Sequence, residues 1–367
     1  MEQPPAELAG LQADLVALTS LHGVSGYETT VIRWLRDRFA PHVDTVTIDP
    51  LGNLIATRAG PPEAPHLVVS AHADEIGLVI ASVEPDGFLR LEDFTGVQPR
   101  LLEGRHVRVG IAPGIPGVIG ARSAHGLSRD EWGRGARLDE LYIDLGVETA
   151  ADVAALGVRV GDPIVVISEL QMLGATRVAG KGLDNRAGCV VLLHLLRWLH
   201  GRSLPCQLTT LVTVQEEAGL RGAKVAFARL HPDLALVVDT RPAGGTPDTR
   251  SQTTLPQVGH GVILSCATSG YLVSRAVQDA MRAVAERQGI PYQWSVASGG
   301  SSDAAAAHLA ASGIATMDLG LPRRYAHSPV ELLDLRDLAA ATTFAEAVVL
   351  QPPTSAELAF LGPPDGE

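Results

Sequence analysis

Residues 208–219, LTTLVTVQEEAG, constrain the fold of this chain more than any other stretch. The first seven residues are apolar and rich in β-branched side chains, which predicts a buried strand that ends at Gln215. Two carboxylates, Glu216 and Glu217, follow at once. Because neighbouring side chains that leave a strand point in different directions, one carboxylate can face a bound cation while the other faces a substrate. A Glu pair alone is more simply a solvated turn, so the other strand ends decide between the two interpretations.

The rest of the chain alternates between helical and strand periodicity. Leucines at 8, 11, 15, 18 and 21 predict an amphipathic helix, and GVSGYE (23–28) is a turn into a second helix. The patterns then predict further strands at 45–48, 53–57, 67–70, 234–239, 293–297 and 314–319, and helices at 186–200, 219–230, 271–288, 302–311 and 335–350. This alternation predicts an α/β fold.

The character of the sequence changes between residues 77 and 169. Short Val/Ile segments alternate there with Gly and Pro turns, as in HVRVGIAPGIPGVIGA. This pattern predicts a small β-rich domain, barrel-like or sandwich-like, inserted into a larger one. We therefore predict a larger domain formed by 1–76 plus 170–352, an inserted domain at 77–169, and a loose C-terminal tail at 353–367.

Composition argues against several classes of partner. The formal net charge is −12, and no basic run is longer than Arg323-Arg324, so a nucleic-acid surface is not expected. No uninterrupted apolar stretch of about 20 residues is present, so no membrane span is expected. The N-terminus lacks the features of a signal peptide, and the three cysteines lie far apart. These features predict buried thiols in a reducing compartment and a cytoplasmic protein.

Five candidate metal ligands stand at predicted strand ends or in the loops that follow them: His72, Asp184, Glu217, Asp239 and His327. Sites in open α/β sheets form where strands deliver residues at their carboxyl ends. Two imidazoles and three carboxylates suit Zn²⁺, Co²⁺ or Mn²⁺ better than Mg²⁺ or Ca²⁺. One bridging carboxylate would give two ions three protein ligands each and an open position, and a bridging hydroxide would balance the charge. Asp184 could instead cap the following helix, although Asn185 could fill that role.

The chain resembles the M42 family of metallo-aminopeptidases, which includes glutamyl aminopeptidases and tetrahedral, dodecameric aminopeptidases. The resemblance runs from about residue 23 to residue 338. Its motifs are AHADEIG (71–77), GKGLDNRAG (180–188), VQEEAGLRGA (214–223), VVD (237–239) and RRYAHSPVE (323–331). The segment SGGSSDAAAAHLA (298–310) departs from the family by carrying Ser-Ser-Asp where many relatives have Gly-Thr-Asp, which leaves Asp303 in place.

The resemblance implies a mixed-sheet catalytic domain with helices on both faces and a small inserted β-rich domain, barrel- or PDZ-like, that mediates dimer contacts. It implies that Asp184 bridges two divalent metal ions, most simply zinc or cobalt.

The resemblance also implies how the remaining ligands divide between the two ions. Glu217 and His327 would complete one metal position, and His72 and Asp239 the other. Glu216 resembles the general base, and Asp74 the acid that orients His72. A cis peptide bond after Asp184 is also implied.

The implied reaction is the release of N-terminal residues from short peptides by a metal-bridging hydroxide that Glu216 activates. A homo-oligomer is implied, either a dimer or a dodecamer of dimers. The ligand set alone leaves open a related carboxypeptidase or N-acyl amino acid deacylase, and a non-catalytic scaffold. Arg241 and Arg250 could favour acidic substrates, although Arg241 could equally pair with a structural carboxylate. Arg323, Arg324 and Tyr325 could contact substrate or form an exposed loop.

Overall fold

The computed structural model describes residues 5–120, 124–126, 128, 134–250, 252 and 254–361. Its strands are β1 Thr45–Ile48, β2 Leu54–Arg58, β3 His66–His72, β4 Leu78–Val83, β5 Leu89–Asp93, β6 His106–Val109, β7 Ile115–Ile119, β8 Ile143–Asp144, β9 Pro163–Val166, β10 Gln171–Leu173, β11 Arg177–Gly180, β12 Gln207–Thr213, β13 Leu234–Pro242, β14 Val262–Ala267, β15 Tyr292–Val296, β16 Ala315–Arg323 and β17 Glu331–Asp334. Its α-helices are α1 Ala9–Thr19, α2 Thr29–Phe39, α3 Ala150–Ala155, α4 Leu183–Leu199, α5 Arg221–Phe227, α6 Arg275–Gln288, α7 Asp303–His308, α8 Leu335–Leu350 and α9 Ser355–Leu358.

A mixed eight-stranded sheet forms the centre of the larger part of the fold, with strand order β1-β2-β12-β3-β13-β16-β14-β15. Its four middle strands, β12, β3, β13 and β16, are mutually parallel. The helix α4 packs against β3 and β13 and against α1 and α8, whereas α5 and α7 pack against each other beside β12, β13 and β16. The predicted α/β class and mixed sheet are confirmed.

The segment between β3 and β10 forms a closed six-stranded barrel with the order β4-β5-β8-β7-β6-β9. Its interior is a separate apolar cluster that includes Leu78, Leu89, Val107, Ile143 and Ile164. Short strands that alternate with Gly and Pro turns therefore close on themselves, which leaves no exposed sheet edge. Of the two β-rich architectures that the sequence allowed, the chain adopts the barrel.

Several element boundaries differ from the sequence-based expectation, and two of these differences have a local cause. The helix expected at 271–288 begins at Arg275, because Ser274 Oγ accepts a hydrogen bond from the amide of Val277 and caps it. The helix expected at 219–230 begins at Arg221, because Leu220 has a left-handed backbone with φ of 58°. The strand expected at 314–319 runs on to Arg323.

The long helix α8 has the predicted bounds. Asp334 caps it through its side chain, which accepts a hydrogen bond from the amide of Arg336. Beyond it, the first part of the predicted loose tail forms the short helix α9, and Leu358 is buried in the main core. No helix among the described residues is long and apolar enough to cross a membrane.

A buried charge network ties the segment before the barrel to the main sheet and helices. Glu75 accepts hydrogen bonds from Lys181 Nζ at 2.8 Å and from Arg186 Nη2 at 3.2 Å. Arg186 also donates to the carbonyls of Leu18 and Gly23. All three charged side chains are buried, so each depends on the others to replace its lost hydration.

We expect Glu75→Ala to destabilise the fold by about 3–5 kcal/mol, because it leaves two buried cations without their carboxylate. Thermal and urea denaturation would measure the loss. The control is Glu84→Ala, which removes the partner of Arg90 from a partly exposed pair and is expected to cost at most about 1 kcal/mol. Equal losses for the two variants would contradict this account.

Candidate active site

The carboxyl ends of the parallel strands meet at one edge of the main sheet. His72 is the last residue of β3 and pairs in register with Thr213, the last residue of β12. Asp239 lies within β13, opposite Gly320 of β16. The loop after β12 carries Glu216 and Glu217, and the loop after β16 carries His327. The topology therefore delivers these side chains to one place, as sheets of this kind do.

His72, Asp184 and Asp239 form the first group of candidate ligands. His72 Nε2 lies 3.2 Å from Asp184 Oδ1 and 3.5 Å from Asp239 Oδ1. All three residues are buried, and their ligand atoms lie within 4.8 Å of one another. One cation could therefore contact all three atoms.

Asp184, Glu217 and His327 form the second group. His327 Nε2 lies 3.3 Å from Glu217 Oε2 and 3.7 Å from Asp184 Oδ2. Asp184 thus belongs to both groups, with Oδ1 facing the first and Oδ2 facing the second. Glu217 Oε1 is buried and has no hydrogen-bond partner among the described residues. A buried carboxylate oxygen without a donor is a position where a cation would be stabilising.

Asp74 organises the turn that presents the two glutamates. Its Oδ1 and Oδ2 accept hydrogen bonds from the backbone amides of Glu216 and Glu217, each at 3.0 Å. Ser25 Oγ donates to Oδ2 at 2.5 Å, and His72 Nδ1 lies 3.4 Å from Oδ1. Asp74 is completely buried. It therefore contacts both the imidazole and the loop that carries the acids.

The side chain of His327 is held by a loop that follows the first two barrel strands. His327 Nδ1 lies 3.3 Å from the carbonyl oxygen of Gly96, which leaves Nε2 toward the acids. A carbonyl partner of this kind fixes the ring orientation of a ligating histidine. The backbone of His327 is left-handed, with φ of 53°, and Gln215 and Tyr325 also have left-handed backbones. Left-handed non-glycine residues of this kind tend to cluster at functional sites.

Asp184 does not cap the helix that follows it. The peptide bond between Asp184 and Asn185 is cis, and both residues depart from helical backbone angles. Asn185 Oδ1 accepts the amide of Gly188 at 2.9 Å and so fills the capping role. Its Nδ2 donates to the carbonyl of Val238, next to Asp239. The side chain of Asp184 is thereby available to both groups.

The electrostatics of the site reflect crowded buried acids. Burial, and then the neighbouring carboxylates of Asp184 and Glu216, hold the pKa of Glu217 well above its ordinary value. Burial also raises the pKa of Glu216 well above the usual range, with a further contribution from Asp239.

The pKa values of two neighbouring residues, His72 and Asp184, shift against the effect of burial, in the direction that their charged partners favour. Burial lowers the pKa of the His72 imidazole, but the surrounding carboxylates outweigh it and raise the pKa well above normal. Burial raises the pKa of Asp184, but Arg323 and His72 outweigh it and hold that pKa below normal. A site with this much negative charge favours cations.

The two groups line a cavity of about 620 Å³. Its walls include Phe94 and Gln98 from the loop after β5, which the sequence did not indicate. Arg241 also lines the cavity, but its guanidinium is bonded to the buried carboxylate of Asp318. Arg250 is exposed and does not line the cavity. Arg241 therefore forms an ion pair with a structural carboxylate, as one of the two alternatives for it proposed. Neither arginine supports a preference for acidic substrates.

Three polar residues of this site, Ser25, Glu28 and Glu331, were not assigned by sequence reasoning. Ser25 and Glu28 belong to the GVSGYE motif, and Glu28 Oε1 accepts the amide of Gln215 at 3.0 Å. Glu331 accepts the amides of Asp184 and His327 at 3.0 and 3.1 Å. Arg323 is buried, so the exposed-loop alternative is wrong for it. The only signal for Ser25 and Glu28 was their place in GVSGYE, near the start of the resemblance, and the only signal for Glu331 was its place in the motif RRYAHSPVE.

The sequence model of the M42 glutamyl aminopeptidase family matches residues 52–344. This chain belongs to the M42 peptidase family. The chain is 32% identical over 342 residues to the glutamyl aminopeptidase of Lactococcus lactis, covering 91% of this chain and 94% of that protein. It is 31% identical over 332 residues to the lysyl aminopeptidase of Pyrococcus furiosus, covering 89% and 93%.

A solved structure agrees with this assignment. The TET1 peptidase of Pyrococcus horikoshii superposes with a TM-score of 0.84 at 31% identity, covering 93% of this chain and 99% of that chain. As a member of the M42 family, the chain is a peptidase, a hydrolase that acts on peptide bonds. The resemblance stated from the motifs is confirmed.

Glu28 gives this M42 peptidase a testable pH dependence. Burial and the charge of Asp74 raise the pKa of Glu28 to about 7, against hydrogen bonds from Gly26 and Gln215 that lower it. The folded state therefore holds a proton that the unfolded state releases above its pKa of about 4.5. The contribution of this proton to the free energy of unfolding is fully present below a pH of about 4.5 and is lost as the pH rises through 7.

We expect Glu28→Gln to remove this contribution, because glutamine keeps the Oε1 acceptor and cannot ionise. The wild type should lose roughly 2–3 kcal/mol more than the variant between about pH 5 and pH 8. Thermal melts at both pH values would measure the difference. The exposed Glu63→Gln serves as control and should behave like the wild type. Parallel pH profiles for Glu28→Gln and the wild type would refute the assignment.

Proposed function

We propose that this M42 peptidase is a two-metal aminopeptidase that releases residues from the free N-terminus of peptides. The observation that supports the two-metal site is the sharing of Asp184 between two groups of ligands. Its Oδ1 faces His72 and its Oδ2 faces His327. A carboxylate with each oxygen turned to a different group is suited to bridging two ions.

The donor set fits divalent transition metals. Each group would offer one imidazole nitrogen and two carboxylates, a combination that Zn²⁺ and Co²⁺ accept readily. His72 and Asp239 would hold one ion with Asp184, and Glu217 and His327 would hold the other. Bound in these positions, two such ions would polarise a scissile carbonyl and lower the pKa of water, so that loss of a proton leaves hydroxide to attack the carbonyl.

We assign the proton transfers to Glu216. Its Oε2 lies 3.8 Å from His72 Nε2, at the wall of the cavity. A general base must lie within reach of the proton that it abstracts, and a place in the wall of the cavity meets this requirement. Glu216 would take the proton of the attacking water and deliver it to the leaving amine. Asp74 positions both glutamates and His72 and takes no proton itself.

Glu216 and Glu217 need separate tests, because His72 offers a ligand atom within 4.8 Å of both. We assign Glu217 to the metal because its Oε2 is close to His327 and its Oε1 has no donor among the described residues. We expect Glu216→Gln to keep both ions and to lower kcat by about 10²-fold or more. Glu217→Gln should instead lose one ion per subunit.

Elemental analysis after gel filtration would count the ions, and initial rates would give kcat. The two variants are isosteric with the wild type and differ by one position, so each serves as control for the other. Near-normal turnover in Glu216→Gln, or loss of metal from that variant alone, would reverse the assignment.

A panel of peptides with free and N-acetylated termini tests the reaction itself. We expect cleavage of free N-termini only, dependent on Zn²⁺ or Co²⁺ and abolished by chelation. Cleavage of acetylated substrates would indicate a deacylase, and release of C-terminal residues a carboxypeptidase. Two bound ions without turnover on any substrate would indicate a scaffold.

The same panel would identify the preferred N-terminal residue. Relatives of nearly equal identity to this chain are a glutamyl and a lysyl aminopeptidase, so similarity does not choose between them. The guanidinium groups of Arg241 and Arg323, which line the cavity, are bonded to buried carboxylates. Short peptides are the proposed substrate class.

We also propose that the chain self-associates, as a dimer or a dodecamer of dimers, through the domain at 77–169. The TET1 peptidase of Pyrococcus horikoshii assembles into a tetrahedron or a large octahedral shell. Exposed apolar side chains of the barrel, including Ile111 and Val160, are consistent with such contacts. Light scattering coupled to gel filtration would give the mass. We place the protein in the cytoplasm, because its three cysteines are free thiols.

A further inference from the structure

Arg323 brings a permanent positive charge into the candidate metal site. It is the last residue of β16, and its side chain is 4% exposed. Nη1 donates to Asp184 Oδ2 at 2.5 Å and to Glu331 Oε1. Its Nε is buried without a hydrogen-bond partner among the described residues. Arginine cannot lose its proton in a protein, so this charge is present at every working pH.

The guanidinium contacts only one of the two oxygens of Asp184. It binds Oδ2, which faces His327 and the second group, whereas Oδ1 faces His72 and the first group. A cation at the second position would therefore compete with Arg323 for the same oxygen. No arginine or lysine contact to Asp239 or to Asp184 Oδ1 is present among the described residues. The two positions are thus unequal in charge.

We propose that Arg323 makes the two metal positions unequal in affinity, weakening the Asp184–Glu217–His327 position so that it loads second and exchanges readily. This inference rests on the two-metal function proposed above. A cation and a guanidinium a few ångströms apart repel each other, and the repulsion is strong where water is largely excluded. The first position, His72–Asp184–Asp239, lies on the other side of the carboxylate and fills first.

Glu331 allows the arginine to yield without leaving the site. This buried carboxylate accepts hydrogen bonds from the amides of Asp184 and His327 and from Nη1 of Arg323. When a second cation takes Asp184 Oδ2, the guanidinium keeps Glu331 as its partner. Glu331 also holds the backbone amides of both ligand residues, so their anchoring does not depend on the contact between Arg323 and Asp184.

The opposite role for Arg323 predicts the opposite result. If the guanidinium served to clamp Asp184 and Glu331 in place, removing it would loosen both ligands and weaken metal binding. If it acts by charge, removing it strengthens binding at the second position. The sign of the change therefore separates the two roles.

The experiment is a titration of metal-free full-length protein with Co²⁺, followed by calorimetry and by the visible absorbance of bound Co²⁺. The variants are Arg323→Gln and Arg323→Met, which remove the charge, and Arg323→Lys, which keeps it. The control is Arg336→Gln, which removes a guanidinium bonded to the buried carboxylate of Asp334, outside the cavity. Circular dichroism and thermal melts would establish which variants fold.

We expect two binding events in the wild type, the second at least tenfold weaker than the first. Arg323→Gln and Arg323→Met should tighten the second event by on the order of tenfold or more, which corresponds to about 1.4 kcal/mol. The first event should tighten less than the second, because the guanidinium contacts the other oxygen of Asp184 and its charge lies farther from the first position. Arg323→Lys and Arg336→Gln should resemble the wild type.

Each contrary outcome has a distinct meaning. A second event that weakens in both neutral variants identifies Arg323 as a clamp and overturns the inference. Two events that are unchanged in every variant overturn the inference and leave the two-metal function standing. Absence of Co²⁺ binding in the wild type and all variants overturns both. If Arg323→Met does not fold, the comparison of Arg323→Gln with Arg323→Lys decides the question.

Discussion

The candidate site depends on one buried carboxylate that is not itself among the proposed ligands. Asp74 accepts the backbone amides of Glu216 and Glu217 and the hydroxyl of Ser25, and it lies beside Nδ1 of His72. One side chain therefore sets the position of an imidazole on one strand and of two acids after the next strand. Its charge is stabilised by these donors, which explains how a fully buried carboxylate has a pKa held below normal despite the burial that raises it.

The loop after β12 is held from both sides, and this allows its two acids to serve different groups. Gln215 has a left-handed backbone, which costs free energy, and its amide donates to Glu28. Asp74 then binds the next two amides. With three successive amides fixed by carboxylates from other segments, Glu216 turns toward His72 and Glu217 toward His327. Neighbouring residues thus face different parts of the candidate site.

The sequence allowed the strand ends and their acids to be predicted, because hydrophobic periodicity locates strands and topology brings their ends together. It also predicted the bounds of α8, whose cap and apolar face are local features. The supporting residues could not be predicted in this way. The amide of Gln215 donates a hydrogen bond to Glu28, which lies 187 residues earlier in the chain, and local sequence patterns do not predict a contact of this kind. The predicted start of α6 was wrong for a different, local reason, since Ser274 caps the helix and it begins only at Arg275.

The length of β16 decides where the side chain of Arg323 lies, and local sequence patterns did not predict this length. The strand was expected to end at residue 319, which would leave Arg323 in a loop with freedom to face solvent. It runs instead to Arg323 beside Pro242 of β13, and this pairing directs the guanidinium into the site. Two carboxylates, Asp184 and Glu331, then stabilise a cation at the place where a metal ion would also be stabilised. The register of a single parallel strand pair therefore sets how much negative charge remains for the proposed second ion, and with it the proposed difference between the two metal positions.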